Sequence, residues 1–143
     1  MKGVQADPET LNSWEDEQLR LAVIPLLVRA ALIDGSMDGA ESEQLKRTIS
    51  ERFELDDSEA LELIETGKKR EAEAVDLYGF TSIITQKLDQ DGRAKIVRML
   101  WEIVLADGVV DEFESNLVWR TAELIGISTR DRVRLRKEVE NQI

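Results

Sequence analysis

The chain has 143 residues, 42% hydrophobic content and a net charge of −11, which fits one ordinary domain around one core. It holds no cysteine and no histidine. Disulfides, thiolate nucleophiles, Cys/His zinc sites and the Ser–His and Cys–His catalytic arrangements are thereby excluded. Acid is concentrated early: residues 1–66 carry 16 acids against 6 bases, residues 67–143 carry 14 against 13. A surface this acidic repels phosphate backbones, so no nucleic-acid partner is expected. It suits cations or basic partners, or serves solubility alone.

Residues 1–11 read as a flexible tail and residues 12–143 as the helical domain. The start, Met1 to Thr10, lacks an apolar stretch and carries Asp7 and Glu9, so it is not read as a secretory signal. No apolar run approaches the roughly 20 residues needed to span a bilayer. The absence of cysteine fits a reducing cytoplasm, the expected location.

Helical spacing dominates from residue 13 onward. Leu19, Ala22, Val23, Leu26, Leu27, Ala30 and Ile33 predict a first helix near 13–34, kinked or broken at Pro25, which cannot donate a backbone bond. A second, near 39–53, places Leu45, Ile49 and Phe53 on one face. A third follows Asp56-Asp57-Ser58, carries Leu61 and Ile64, and is expected to end around Gly67 and Lys68-Lys69-Arg70. A fourth, near 74–88, carries Leu77, Phe80, Ile84 and Leu88. Asp89-Gln90-Asp91-Gly92 reads as a connection, before a fifth helix with Ile96, Met99, Leu100, Ile103 and Val104. The sixth, near 112–125, shows Phe113, Leu117, Thr121, Leu124 and Ile125 as its stripe, with Gly126 as its stop. Ser128 caps a seventh carrying Val133, Leu135 and Val139. No strand alternation appears, so the expected fold is an all-α bundle of about seven helices.

The chain repeats itself. A shift of 73 residues lays Asp34-Gly35 on Asp107-Gly108, Asp38 on Asp111, Glu41 on Glu114, Leu45 on Val118 and Leu27 on Leu100. Two pseudo-repeated helix–turn–helix units are therefore expected to pack as a pair. In each turn the glycine suits a left-handed position that stops the incoming helix. Asp38 and Asp111 suit N-cap positions, with Glu41 and Glu114 three residues on closing a capping box. Met37 and Val110 are expected to point inward. Capping leaves Asp34 and Asp107 over, acids beside the negative end of a helix dipole. A local turn bond accounts for them most simply. The alternative is a divalent cation of the calcium or magnesium type, held by Asp34, Asp38, Glu41, Asp107, Asp111 and Glu114 if the two turns converge. Neither turn is an EF-hand: the twelfth position, where a bidentate glutamate belongs, holds Leu45 in one and Val118 in the other.

These residues also carry a resemblance. Ala31-Leu32-Ile33-Asp34-Gly35 followed by Asp38 and Glu41, the stretch Asp76 to Phe80, and Leu100 to Gly108 followed by Asp111 and Glu114 resemble the TerB-like family of tellurite resistance proteins. The likeness covers roughly residues 14–140. It implies a helical bundle, usually of seven helices, and an association with tellurite and stress-response systems. It also implies a cation or partner role for the acidic residues and no established enzymatic activity. Pro25 departs from the pattern of the family's first helix.

Trp119 lies off the sixth helix's stripe and is a candidate partner contact, unless another helix covers it. Trp101 is expected in the core. The basic last helix, with Arg130, Arg132, Arg134, Arg136 and Lys137, is expected to pair with the chain's own acidic half or to face solvent. An enzyme would have to work with carboxylates alone. The expectation is a non-catalytic interaction module with a protein partner.

Overall fold

A computed structural model describes residues 14–32, 39–106, 108 and 110–142. The expected tail, the Asp34-Gly35 turn with Met37 and Asp38, and Asp107 lie outside the described residues. Among those described there are seven helices and no strand: α1 (Glu17–Ala31), α2 (Gly39–Phe53), α3 (Asp57–Glu73), α4 (Tyr78–Lys87), α5 (Gln90–Val104), α6 (Glu112–Leu124) and α7 (Thr129–Gln142).

Helix α1 is the axis of the bundle. Every residue from Ala22 to Val28 is buried, and a helix that is apolar all round must be enclosed by others. It packs on α2, α3, α4, α5 and α6. It also runs without a break through Pro25, itself buried. The expected division into two segments does not occur, because enclosure on all sides outweighs the one backbone bond that proline forgoes.

The 73-residue register governs whole helices rather than the two turns alone. Added to the bounds of α1 it returns those of α5, and added to the start of α2 it returns the start of α6. Asp16 caps α1 by accepting the Leu19 N–H at 2.9 Å, and its counterpart Asp89 caps α5 by accepting the Gly92 N–H at 2.9 Å. Asp89-Gln90-Asp91-Gly92 is thus a cap and first turn, not a connection. Buried Ile24, Leu27, Leu45 and Thr48 correspond to buried Val97, Leu100, Val118 and Thr121. Since α3 packs on α1 and α7 packs on α5, the repeated unit is three helices long. Helix α4 is the one inserted between the two copies.

Helix α3 does not stop at Gly67 but continues to Glu73. Gly67 is buried, and a Cβ there would lie 2.5 Å from Ile24 Cγ2 and 3.3 Å from Val28 Cγ2. This glycine is a point of close approach between α1 and α3, not a helix end. Asp56 and Glu59 close a reciprocal capping box at the start of α3. The expected core face of α3 is corrected at Leu61, which is 52% exposed, and that of α7 at Val133, 40% exposed. Gly126 does stop α6 as expected, with a φ of +77°. The Ile127 N–H reaches Ala122 O at 2.9 Å and the Gly126 N–H reaches Glu123 O at 3.2 Å, the paired bonds of a Schellman end.

Lys87 of α4 sits 2.9 Å from Asp16, joining the inserted helix to the cap of α1. The Leu19 N–H, and after it Lys87, hold the Asp16 carboxyl below the usual carboxylate range. The sign follows directly: a depressed folded-state pKa contributes stability that is present above the unfolded value and lost as pH falls through the folded one. Asp16→Asn keeps a capping oxygen but no charge, so it should flatten stability against pH on the acid side. The difference at neutral pH should be about 0.2–1 kcal/mol, the range for a solvent-screened pair. Urea melts between pH 7 and pH 3 measure it, and parallel curves for both proteins would refute it.

Candidate functional site: two symmetry-related grooves

The second acidic turn is built as its residues dictate. Asp111 accepts the Glu114 N–H at 2.8 Å, and the Glu114 carboxylate accepts the Asp111 N–H at 3.1 Å. Val110 is half-buried against the core. Gly108 takes the left-handed backbone, φ +81°, although α5 already ends at Val104 with Leu105 as its C-cap. Glu114 is 4% exposed, and Glu41, at the same register of α2, is 2% exposed. Of the six residues proposed for a cation, Asp34, Asp38 and Asp107 lie outside the described residues. Among those described, no group of three or more acidic side chains could hold a metal ion.

Trp119 is half-buried, and the Arg132 guanidinium lies 5.1 Å from the centre of its ring. It packs partly against the core, with Arg132 of α7 over its ring. Among the described residues, the arginines of α7 form no ion pair with the acidic first half of the chain. Arg134 pairs with Glu138 and Asp131, and Arg136 with Glu140, all on α7 itself. Arg136 also lies over the Trp101 ring at 4.9 Å. One charged chain does cross helices. Glu102 of α5 takes Arg52 of α2 at 2.8 Å and the Thr48 hydroxyl at 3.3 Å, and Arg98 joins it to Glu138 of α7.

The exposed aromatics lie elsewhere. Phe113, expected on the inner stripe of α6, is 72% exposed, and Tyr78, at the start of α4, is 68% exposed. Helix α6 turns Glu114, Leu117, Val118, Thr121 and Ala122 inward instead. The capping glutamate occupies the inner place in the first turn, which swings Phe113 out. Phe113 and Tyr78, with Val75 (96% exposed) and Leu124, line an open groove of about 560 Å³. Leu77 and Leu117 lie at its buried base, and Arg29, Arg120, Asp76 and Asn116 complete its lining. Its size falls within the range of ordinary binding clefts. Asp76 is turned back on the chain, accepting the Tyr78 N–H at 3.0 Å.

This groove has a twin. A second groove, of about 390 Å³, is lined by Gln44, Arg47, Glu51, Glu102, Ala106, Val139 and Gln142. Under the 73-residue shift Gln44, Arg47 and Glu51 of α2 fall on Leu117, Arg120 and Leu124 of α6, and Arg29 of α1 falls on Glu102 of α5. The two grooves are the same place in the two copies of the unit. One copy is polar and self-satisfied: Arg47 donates to Gln44 at 3.1 Å, and Gln44 to Thr48 at 3.0 Å. In the other, leucine stands where Gln44 would serve Arg120. Arg120 makes no hydrogen bond or ion pair among the described residues.

The helices among the described residues thus define an all-α protein made of two pseudo-symmetric three-helix units. The chain belongs to the family of tellurite resistance protein TerB, whose family model matches residues 20–137. No individual curated protein and no solved structure matches it. None of the helices among the described residues is long and apolar enough to cross a membrane.

Proposed function

We propose that the chain is a non-catalytic interaction module that docks a protein partner in the apolar groove between α6 and the α3–α4 connection. One observation carries this reading. Two grooves share one architecture, and one of them carries Leu117 and Leu124 where the other carries Gln44 and Glu51, and Phe113 where the other unit has Ala40, with Tyr78 and Val75 across from them. Solubility alone favours the polar version, and contiguous exposed apolar surface marks interaction sites. A photo-crosslinking residue at position 113, expressed in the native host, should give one discrete and reproducible adduct. The same residue at Ala40, the corresponding position of α2, should give none. No adduct from position 113, or the same adducts from both positions, would count against the docking reading.

We infer from family membership a role in tellurite or stress response. A strain lacking this chain should grow less well on tellurite, and unchanged growth would remove the link. The alternative reading, a calcium- or magnesium-type cation held by the acidic turns, draws on the repeated Asp-Gly turn and on the matching burial of Glu41 and Glu114. Calorimetric titration of chelator-treated protein decides it. Saturable binding lost in Asp34→Asn/Asp107→Asn supports the cation, and heat unchanged by that double substitution opposes it.

A further inference from the structure

We infer that the partner presents an amphipathic helix whose apolar seam is flanked by acidic residues, laid alongside α6 with a carboxylate on Arg120. This rests on the reading of the groove as a docking surface and adds the partner's shape and sign. The shape comes from the spacing of the lining. Phe113, Asn116, Leu117, Arg120 and Leu124 follow one another along α6 at intervals of three, one, three and four residues. They form a single stripe about three turns long, on the order of 16 Å at the helical rise. A stripe of this kind matches anchors spaced i, i+3 or i+4, and i+7 on a helix lying in the groove. The described residues offer no sheet edge to which an extended peptide could add.

The sign comes from the twin. The polar groove carries Arg47 against Glu51 and Glu102, whereas the apolar groove carries Arg29 and Arg120 against Asp76. The local balance has changed from acidic to basic within a chain whose net charge is −11. The Asp76 carboxylate already accepts a backbone N–H. Arg29 reaches only as far as 3.8 Å from Glu71, and Arg120 has lost the side-chain acceptor that its counterpart uses. A guanidinium beside an apolar floor is matched by a carboxylate, which it can grip through two parallel N–H bonds. Repulsion between the acidic chain and an acidic helix is screened within about 8 Å at physiological salt, so the charges in contact decide the preference.

The test uses the full chain and two fluorescently labelled synthetic 18-residue helices. Both carry the same leucine and phenylalanine seam, one flanked by glutamates and the other by lysines, and binding is read by anisotropy. The glutamate-flanked helix should bind more tightly, on the order of tenfold. Arg120→Glu should reverse the order, Phe113→Ala should weaken both helices, and Arg47→Glu in the twin groove should change neither. Phe113 and Arg120 are exposed, and an unchanged helical circular dichroism signal verifies that the variants fold. Equal affinity for both helices, or an order that Arg120→Glu leaves intact, overturns the acidic-helix inference while the apolar dock stands. Failure of both helices to bind overturns the dock as well. Concentration-dependent self-association abolished by Phe113→Ala would make a second copy the occupant and overturn the inference in that way.

Discussion

Trp101→Ala should destabilise the protein by about 3–5 kcal/mol, the usual cost of emptying a large aromatic site in a core. Trp101→Phe should cost only about 1–2 kcal/mol. Trp101 is the largest of the fully buried side chains and has no exposed surface. It stands on α5 where the register places Val28 on α1, so the second unit fills with an indole what the first fills with a valine. Its Nε1–H is buried and finds no partner among the described residues, so phenylalanine removes an unsatisfied donor while keeping most of the apolar bulk. The Arg136 guanidinium over the ring contributes on the order of 0.5–1 kcal/mol of cation–π attraction, which phenylalanine retains in part. Urea denaturation followed by circular dichroism gives both numbers. A phenylalanine variant as damaged as the alanine one would show that the indole N–H is engaged after all.

Gly67→Ala is the second large effect, and its sign is opposite to the usual one. Glycine to alanine inside a helix ordinarily stabilises by about 1 kcal/mol. Here the added methyl would lie 2.5 Å from Ile24 Cγ2 and 3.5 Å from the Ile24 carbonyl carbon. A β-branched side chain on a helix has essentially one rotamer, so the clash cannot be relieved by turning Ile24. Helices α1 and α3 must move apart, and overpacking of this kind costs about 1–3 kcal/mol. Shortening the obstructing residue should recover part of the loss. In a double-mutant cycle, Gly67→Ala with Ile24→Ala should be less destabilised than the sum of the single changes. A Gly67→Ala protein that is more stable than the parent, with no coupling to Ile24, would mean that the two helices do not meet at this glycine.

How much of this was legible in the sequence depends on which forces act locally. Caps are local chemistry, and Asp111 with Glu114 forms the box that their spacing predicts. Gly126 and Ser128 likewise end α6 and begin α7 where their types require, the Ser128 hydroxyl accepting the Asp131 N–H at 3.1 Å. The repeat was legible at its identical positions, the acids and glycines of the turns, but its reach over three helices was not. The matched core positions exchange Ile for Val and Ile for Ala, so identity fades where burial persists. Gly67 misled because a glycine before a basic run has the composition of a helix end. Its actual role depends on α1, a helix distant from it in the chain. Phe113 misled because a helical stripe can be drawn through either Phe113 or Glu114, and only the capping bond selects the second. The groove did leave a signal in the sequence. It lies where the repeats differ, in leucines at 117 and 124 opposite Gln44 and Glu51, a comparison of mismatches rather than matches.

If the apolar groove is the dock proposed above, the twin grooves bear on how many partners the molecule can hold. The 73-residue register places two equivalent grooves among the described residues, and apolar side chains line only one of them. On the proposed docking reading, a chain with one apolar groove would take one partner there and would cap an assembly rather than bridge two partners. The arginine is already present at position 47, so Gln44→Leu and Glu51→Leu, with Ala40→Phe, address the missing apolar lining without touching Glu102 and its bonds to Arg52 and Thr48. Such a chain would present two seats, and binding stoichiometry rather than affinity would report the conversion from a terminator into a linker.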